Sequence, residues 1–193
     1  QIRKGTAAFE ELEETAKRVG ATTEFTATQA AEGLEFLARA GFDADQSIAA
    51  LPATIDFATA SALDLGRATD IATDTLGAFG LAVDDPTKRL SNLNRVMDTI
   101  TRTANSTNTN VEQLFEVVAD AGPVAKAAGV DIETFSAMLG TIANSGIKAS
   151  KGGTAMKNLF LSLTAPASDG AKLLRRFNIN MEDQDIVAYK SSF

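Results

Sequence analysis

The sequence contains no cysteine, no histidine and no tryptophan, and its single tyrosine is Tyr189. Each absence removes chemistry. Without Cys there is neither a disulfide framework nor a thiolate nucleophile, and cysteine usage says nothing about redox compartment. Without His or Cys the usual zinc sites, the Ser-His-Asp triad and the Cys-His dyad are all excluded, which leaves carboxylates, Lys, Ser/Thr and Tyr189 for any reaction. Positive charge is scarce as well: 18 Lys and Arg stand against 25 Asp and Glu, a net charge of −7. The phosphate-neutralising surface that drives nucleic-acid binding is therefore missing from the overall balance, and no direct nucleic-acid binding is expected. Long apolar runs are lacking too. The least charged window, Gln46 to Leu63, holds Asp56, Pro52 and many Ala, Ser and Thr residues, too polar for the ~20 apolar residues of a bilayer span. The chain opens at Gln1 without Met and without the basic-then-apolar layout of a signal peptide, as expected for a piece of a longer protein.

What is present is helical periodicity. With 45% hydrophobic residues in 193, the chain can bury one core or two small lobes. Phe9, Leu12, Ala16 and Val19 step by 3, 4 and 3 residues, the seam of a coiled coil, among Glu10, Glu11, Glu13, Glu14, Lys17 and Arg18. So short a seam either continues upstream or packs on its own domain. Thr26 and Gln29 form a capping box that opens a helix with Ala30, Leu34, Leu37 and Ala38 on one face, stopped at Gly41. Asp43 and Gln46 repeat the start signal for a helix with Ile48, Leu51, Ile55 and Ala58, in which Pro52 predicts a kink or restart at residues 51 to 53.

Asp64 opens the next stripe, Leu65, Ala68, Ala72, Leu76 and Phe79, stopped at Gly80. Pro86 suits a first helical turn, and Leu90, Leu93, Met97 and Ile100 carry the pattern to about Thr103. Asn105 to Asn110 is a polar run whose side chains compete for backbone hydrogen bonds, which favours a linker. Beyond it come Val111, Leu114, Phe115 and Val118, then Gly122-Pro123 and Gly129, then Ile132, Phe135, Leu139 and Ile142. Gly146, Gly152 and Gly153 bracket a short loop. Met156, Leu159, Phe160 and Leu163 form a helix ending near Pro166, and Leu173, Leu174 and Phe177 belong to a last one. From Asn178 on the pattern weakens, and Ile179, Met181, Ile186, Val187 and Tyr189 are compatible with extended chain.

Strict alternation is nowhere found, so the expected fold is all-α, an irregular multi-helix bundle of about eight to nine helices in two lobes, with no sheet. Residues 1-20 read as the end of an upstream coiled-coil or linking helix, 21-104 as a first lobe, 105-110 as the linker, 111-177 as a second lobe and 178-193 as a poorly defined tail. An echo of Glu35–Gly41 in Glu116–Gly122, each followed by a helix opening on Asp, at Asp43 and Asp131, reads as shared helix-cap grammar rather than duplication.

Three features invite a chemical reading. Gly146 to Thr154 has the glycines and lysine of a phosphate loop, but Lys151 precedes Gly152 where a Walker sequence needs it after the last Gly, and no parallel strand comes before; a tight interhelical turn with close backbone approach is the better reading. Asp70 and Asp74 lie one turn apart, and Asp84-Asp85 and Glu182-Asp183-Gln184-Asp185 are acidic clusters. They fall on polar faces or helix starts, where acids offset the helix dipole, and they lack the spacing of a calcium loop. No catalytic, cofactor-binding or metal-ligating residue is expected, and the Phe and Met residues at helical spacing read as core.

Three stretches resemble the core of the phage tail tape measure proteins: Thr23-Glu-Phe-Thr-Ala-Thr-Gln-Ala-Ala-Glu-Gly-Leu-Glu-Phe-Leu-Ala-Arg-Ala-Gly-Phe42, Ser47-Ile-Ala-Ala-Leu-Pro-Ala-Thr-Ile-Asp-Phe-Ala-Thr-Ala-Ser61, and Ala137-Met-Leu-Gly-Thr-Ile-Ala-Asn-Ser-Gly-Ile-Lys-Ala-Ser-Lys-Gly-Gly-Thr-Ala-Met156. The resemblance is collinear over about residues 6 to 177. Ala149 and Gly152 depart from the family's usual Gly-Ser, variable, Ala-Gly-Thr turn. The resemblance implies a non-catalytic structural protein of the virion tail, assembled in the bacterial cytoplasm, whose length sets tail length and which leaves the tail at DNA ejection. It implies tail tube, tail tip and tail assembly chaperone proteins as partners, and together with the coiled-coil seam it leaves self-association into a homo-oligomer as a further expectation. Alternatives are a helical cell-wall-degrading domain, which would need a cleft Glu with aromatics around it, or a membrane-perturbing one, which would need a basic amphipathic helix.

Overall fold

The computed structural model describes residues 6–147 and 149–164, and within them the chain is built from helices and turns, with no strand. The helices are α1 (Ala7–Thr22), α2 (Ala27–Arg39), α3 (Ala44–Ser61), α4 (Leu65–Ala78), α5 (Pro86–Ser106), α6 (Val111–Ala127), α7 (Ile132–Asn144) and α8 (Ala149–Thr164). The expected features of residues 165–193, including the helix around Leu173, Leu174 and Phe177, lie outside the described residues.

The start signals act as the sequence says. The Gln29 amide donates to Thr26 Oγ1 at 3.2 Å while the Thr26 amide donates to Gln29 Oε1 at 2.8 Å, and Asp43 and Gln46 repeat the reciprocal pair at α3. Asp64, Asp85, Asn110 and Asp131 cap α4, α5, α6 and α7. Thr6 caps α1, a signal that sequence reading passed over.

Among the described residues the stops are one device used five times. The amides of Phe42, Leu63, Leu81, Val130 and Ile147 each donate to the carbonyl five residues back, and the residue before each is left-handed: Gly41, Ala62, Gly80, Gly129 and Gly146. This is the Schellman stop, in which a residue at positive φ reverses the chain and an apolar residue follows. At three of these corners the next residue is the following helix's cap, giving Gly41-Phe42-Asp43, Ala62-Leu63-Asp64 and Gly129-Val130-Asp131. The turn is sharp: α3 and α4 cross at 107°. The resemblance of Glu35–Gly41 to Glu116–Gly122 has no such basis, because Gly122 lies inside α6, where a Cβ would sit 3.3 Å from the Ala78 methyl.

Corners of this kind stack the helices in two layers. In one, α2 packs on α4, α4 on α6 and α6 on α8; in the other, α1 packs on α3, α3 on α5 and α5 on α7; consecutive helices tie the layers together. Among the described residues, substantial helix–helix contact reaches no further than two helices along the chain, the quasi-one-dimensional plan of helical repeat arrays. The buried apolar side chains form one cluster running from Ala16 to Phe160.

Several local expectations are revised. Pro52 does not restart a helix: α3 runs unbroken through it, with Pro52 on the exposed side, and α6 runs through Pro123 in the same way. The buried face of α3 comprises Ala44, Ser47, Ala50, Leu51, Thr54, Phe57 and Ala58, leaving Ile48 and Ile55 half-buried, because α3 touches α1, α2, α4 and α5 and has no single inward stripe. The hydroxyls of buried Ser47 and Thr54 return to the helix itself: Ser47 Oγ donates to the Asp43 carbonyl at 2.7 Å and Thr54 Oγ1 to the Ala50 carbonyl at 2.9 Å. The seam of α1 packs on α2 and α3 through Ala16 and Val19, with Phe9 and Leu12 half-buried. Helix α5 enters the polar run as far as Ser106, so the connection is Thr107–Asn110. That connection is tied down, since the Asn108 amide donates to Asn144 Oδ1 at 2.9 Å. Gly152 and Gly153 are not in a loop; both are buried in α8.

Candidate functional site

Glycines set how closely the helices approach. A Cβ on Gly20 would lie 2.5 Å from the Ala27 amide nitrogen, one on Gly140 2.7 Å from the Thr107 methyl, and one on Gly153 2.9 Å from Asp120 Oδ2. These are the joints α1 to α2, α7 to the end of α5, and α8 to α6. The Gly-Gly pair that suggested a phosphate loop is therefore a helix-packing element, with Gly152 set against Val117 of α6. Lys151 and Thr154 line an open hollow with Ala155 and Asn158, all on α8 itself. A phosphate loop needs converging amides at a helix start, and this hollow is the flank of one helix.

Charged side chains join helices two apart in each layer. On one side, Arg67 of α4 donates from Nε and Nη2 to Glu112 of α6 at 3.0 and 2.8 Å, and from Nη1 to Asp70 at 2.8 Å, while its guanidinium lies 5.1 Å from the Phe115 ring centre. On the other, Arg95 of α5 donates from Nε and Nη2 to Glu133 of α7, both at 2.5 Å. The hydrogen bond to Glu112 holds Arg67 above its ordinary value, and the same bond holds the Glu112 carboxyl below the usual range; Arg95 and Glu133 shift likewise. Sequence reading named neither pair, because partners separated by 45 and 38 residues leave no local signal.

Asp70 and Asp74 are divided by this arrangement. Asp70 is ion-paired with Arg67, whereas partial burial and then the charge of Asp70 push the Asp74 carboxyl up. A paired carboxylate next to an exposed one makes no acid–base couple, since neither sits in an apolar pocket facing a substrate-sized cavity. Asp85 is the cap of α5, accepting from the Lys88 amide at 2.9 Å, and Asp84 is exposed. The Glu182 to Asp185 cluster lies outside the described residues. Among the described residues no group of three potential metal ligands comes together.

A groove between helices with mixed lining runs between α3 and α5, about 400 Å³, with Phe57 and Met97 buried beneath it and Asp56 and Asp98 exposed beside it. Asn94 and Thr101 complete its polar lining; it offers apolar contact and negative charge and no nucleophile–base pair. Among the described residues no single helix is long and apolar enough to cross a membrane. Taken together, α3 and α4 reach that composition, but they are bent by 107° and both contribute to the core.

The molecule thus presents joints and surfaces, and the comparisons with known proteins agree with that character. The model of the family described as phage-related minor tail protein matches residues 13–191. A tape measure protein of Pneumococcus phage Dp-1 is 30% identical over 165 residues, covering 86% of this chain and 14% of that protein. A probable tape measure protein of Escherichia phage P2 is 28% identical over 182 residues, 94% of this chain and 22% of that protein. The chain therefore spans less than a quarter of the length of either relative. No solved structure matches. With the family model matched along nearly all of its length, the chain belongs to the phage-related minor tail proteins.

Proposed function

We propose that this chain is a structural segment of a tape measure protein, a folded helical array within a longer molecule that fixes the length of a phage tail and leaves the tail at DNA ejection. The observation that supports it is the packing plan. Each helix is held by helices one or two places away, so the array lengthens by adding helices without rebuilding a core. That property suits a spacer, and the similarity to two tape measure proteins over 86% and 94% of the chain points the same way.

In this reading the segment is not an enzyme. Its work is contact with itself, with tail tube and tail tip proteins and with tail assembly chaperones, in the virion tail and in the host cytoplasm where the tail is built. The test is an in-frame deletion of the array from the gene that encodes it. Short or unassembled tails are expected, and normal tails of unchanged length would remove the proposal. A cleared zone on a cell-wall zymogram loaded with the purified chain would overturn its non-catalytic part.

A further inference from the structure

Of the five left-handed corners among the described residues, four turn on glycine, and the corner between α3 and α4 turns on Ala62, at φ 53° and ψ 39°. There a Cβ is held close to the following carbonyl oxygen, a strain that glycine escapes. Beside it, the Ser61 hydroxyl is closed off from solvent with no hydrogen-bond partner, so the bend leaves two unmet demands in adjacent residues. Ala62, Leu63 and Asp64 alone separate Ser61 from Leu65, the shortest connection between described helices.

The same residues are able to continue a helix. From Ala53 to Leu65 there is neither Gly nor Pro, and Ala62 and Leu63 are of the two types that favour helix most. What holds the bend is the Asp64 cap together with tertiary contact. Helix α2 lies on α4, and α3 lies on α4 and α5, while the Arg89 guanidinium donates to the Gly41 carbonyl and sits 5.6 Å from the Phe42 ring centre. These contacts join a three-helix unit, α1–α3, to a second unit, α4–α8, that contains both the Arg67–Glu112 and the Arg95–Glu133 pairs. A second copy of the chain presents the same two mating surfaces.

We propose that two copies of this chain associate by exchanging α1–α3, each copy running α3 and α4 together through Ser61, Ala62 and Leu63 as one helix of residues 44–78, about 52 Å long. Away from the corner, the contacts between the two units re-form between the copies. Bent monomer and exchanged dimer then differ at the two corners and in the entropy of association, so the corner residues set the dimerisation constant. Short connections under strain are the kind that exchange. The exchange belongs to the folded chain itself and stands apart from any role in a tail.

The test uses the full chain, refolded from urea over a range of protein concentrations and sized by light scattering. A dimer that grows with concentration is expected. Ala62→Gly relieves the bend and weakens the continuous helix, and should lower the dimerisation constant about a hundredfold or more. Asp64→Ala removes a cap that the bent form alone uses, and should raise it about tenfold. The lack of cysteine lets an engineered pair identify the interface. A Cβ on Gly66 of α4 would lie 3.5 Å from Glu32 Cβ of α2, within disulfide range. After mild oxidation, Glu32→Cys/Gly66→Cys should carry its bond within the chain in the monomer fraction and between chains in the dimer fraction, seen as a covalent dimer on a non-reducing gel. A dimer whose bonds stay within each chain, or whose constant neither corner variant moves, would assign association to another surface and overturn the proposal. So would a parent and an Asp64→Ala chain that remain monomeric at every concentration.

Discussion

Arg67 holds Glu112 through two parallel N–H donors across the Thr107–Asn110 connection, and its guanidinium also lies against Phe115, one turn further along α6. Arg95 grips Glu133 in the same two-donor manner in the other layer, so each layer carries a charged staple at the point where the helices before the connection meet those after it. Both pairs are roughly two-fifths exposed, where an ion pair contributes about 0.2–1 kcal/mol. Two of them make a modest but directional brace.

The pH dependence of that brace has a definite sign. Glu112 and Glu133 are held below the ordinary carboxylate value, so their contribution is fully present above the unfolded value of about 4.3 and is lost as pH falls through the lower folded values. Glu112→Gln with Glu133→Gln should cost about 0.5–2 kcal/mol at pH 7, and the difference from the parent should close as pH falls below about 4. Asp74 runs the other way. Its carboxyl is pushed up, so Asp74→Asn should stabilise by about 0.2–0.5 kcal/mol at pH 7 and have no effect once the carboxyl is protonated. Urea titrations at pH 7 and pH 3.5 read both signs, and equal losses at the two pH values would contradict the argument.

Two glycines in helices should respond oppositely to alanine. A Cβ on Gly77 would meet nothing within 4 Å, so Gly77→Ala should stabilise by about 0.5–1 kcal/mol through helix propensity and a less flexible unfolded chain. A Cβ on Gly20 would meet backbone of Ala27 at 2.5 Å, which no side-chain rotation relieves, so α1 must move from α2. Overpacking of that kind costs about 1–3 kcal/mol, more than the propensity gain, and Gly20→Ala should lower the urea midpoint. If both variants shift in the same direction, the close approach of α1 and α2 is wrong.

Ala62 holds the left-handed corner that Gly41 and Gly129 hold elsewhere, with φ of 53°. For an L-residue with a Cβ that region costs about 1–2 kcal/mol, and replacing it with glycine forfeits about 0.4–1 kcal/mol through a looser unfolded chain. Ala62→Gly should therefore raise stability by about 0.5–1 kcal/mol with the denaturant slope unchanged. A loss of stability would mean that the α3–α4 corner has a different geometry.

What sequence reading captured and what it missed follow from the range of the forces. Asp43, Asp64, Asp85, Asp131 and the Gly41 and Gly80 stops act within four or five residues, and the stripe Leu65, Ala68, Ala72, Leu76 and Phe79 is buried throughout because α4 keeps one consistent inward arc. Helix α3 defied the stripe argument because neighbours on several sides bury Ser47 and Thr54 as fully as Leu51. Ala62 gave no signal, since nothing in the residue type announces a positive φ. The Gly152-Gly153 pair misled in the opposite sense: glycine marks both turns and close helix contacts, and only the presence of α6 decides between them. The layer order itself, and with it Arg67–Glu112 and Arg95–Glu133, depends on pairing between distant segments that periodicity does not encode.

The folded array also makes the tape measure proposal quantitative. A ruler built as one continuous helix adds about 1.5 Å of length per residue, so residues 6–164 drawn out in that form would span about 240 Å. The same residues folded as four helices per layer, with neighbouring axes about 8–10 Å apart, span only about 30–40 Å along the stacking direction. Tails assembled with an in-frame deletion of 6–164 can be measured by negative-stain electron microscopy. A shortening on the order of 40 Å is expected if the array stays folded in the tail. A shortening near 240 Å would show that the array opens into a single helix when the tube forms around it, and would mean that the staples and corners described here belong to the protein before assembly.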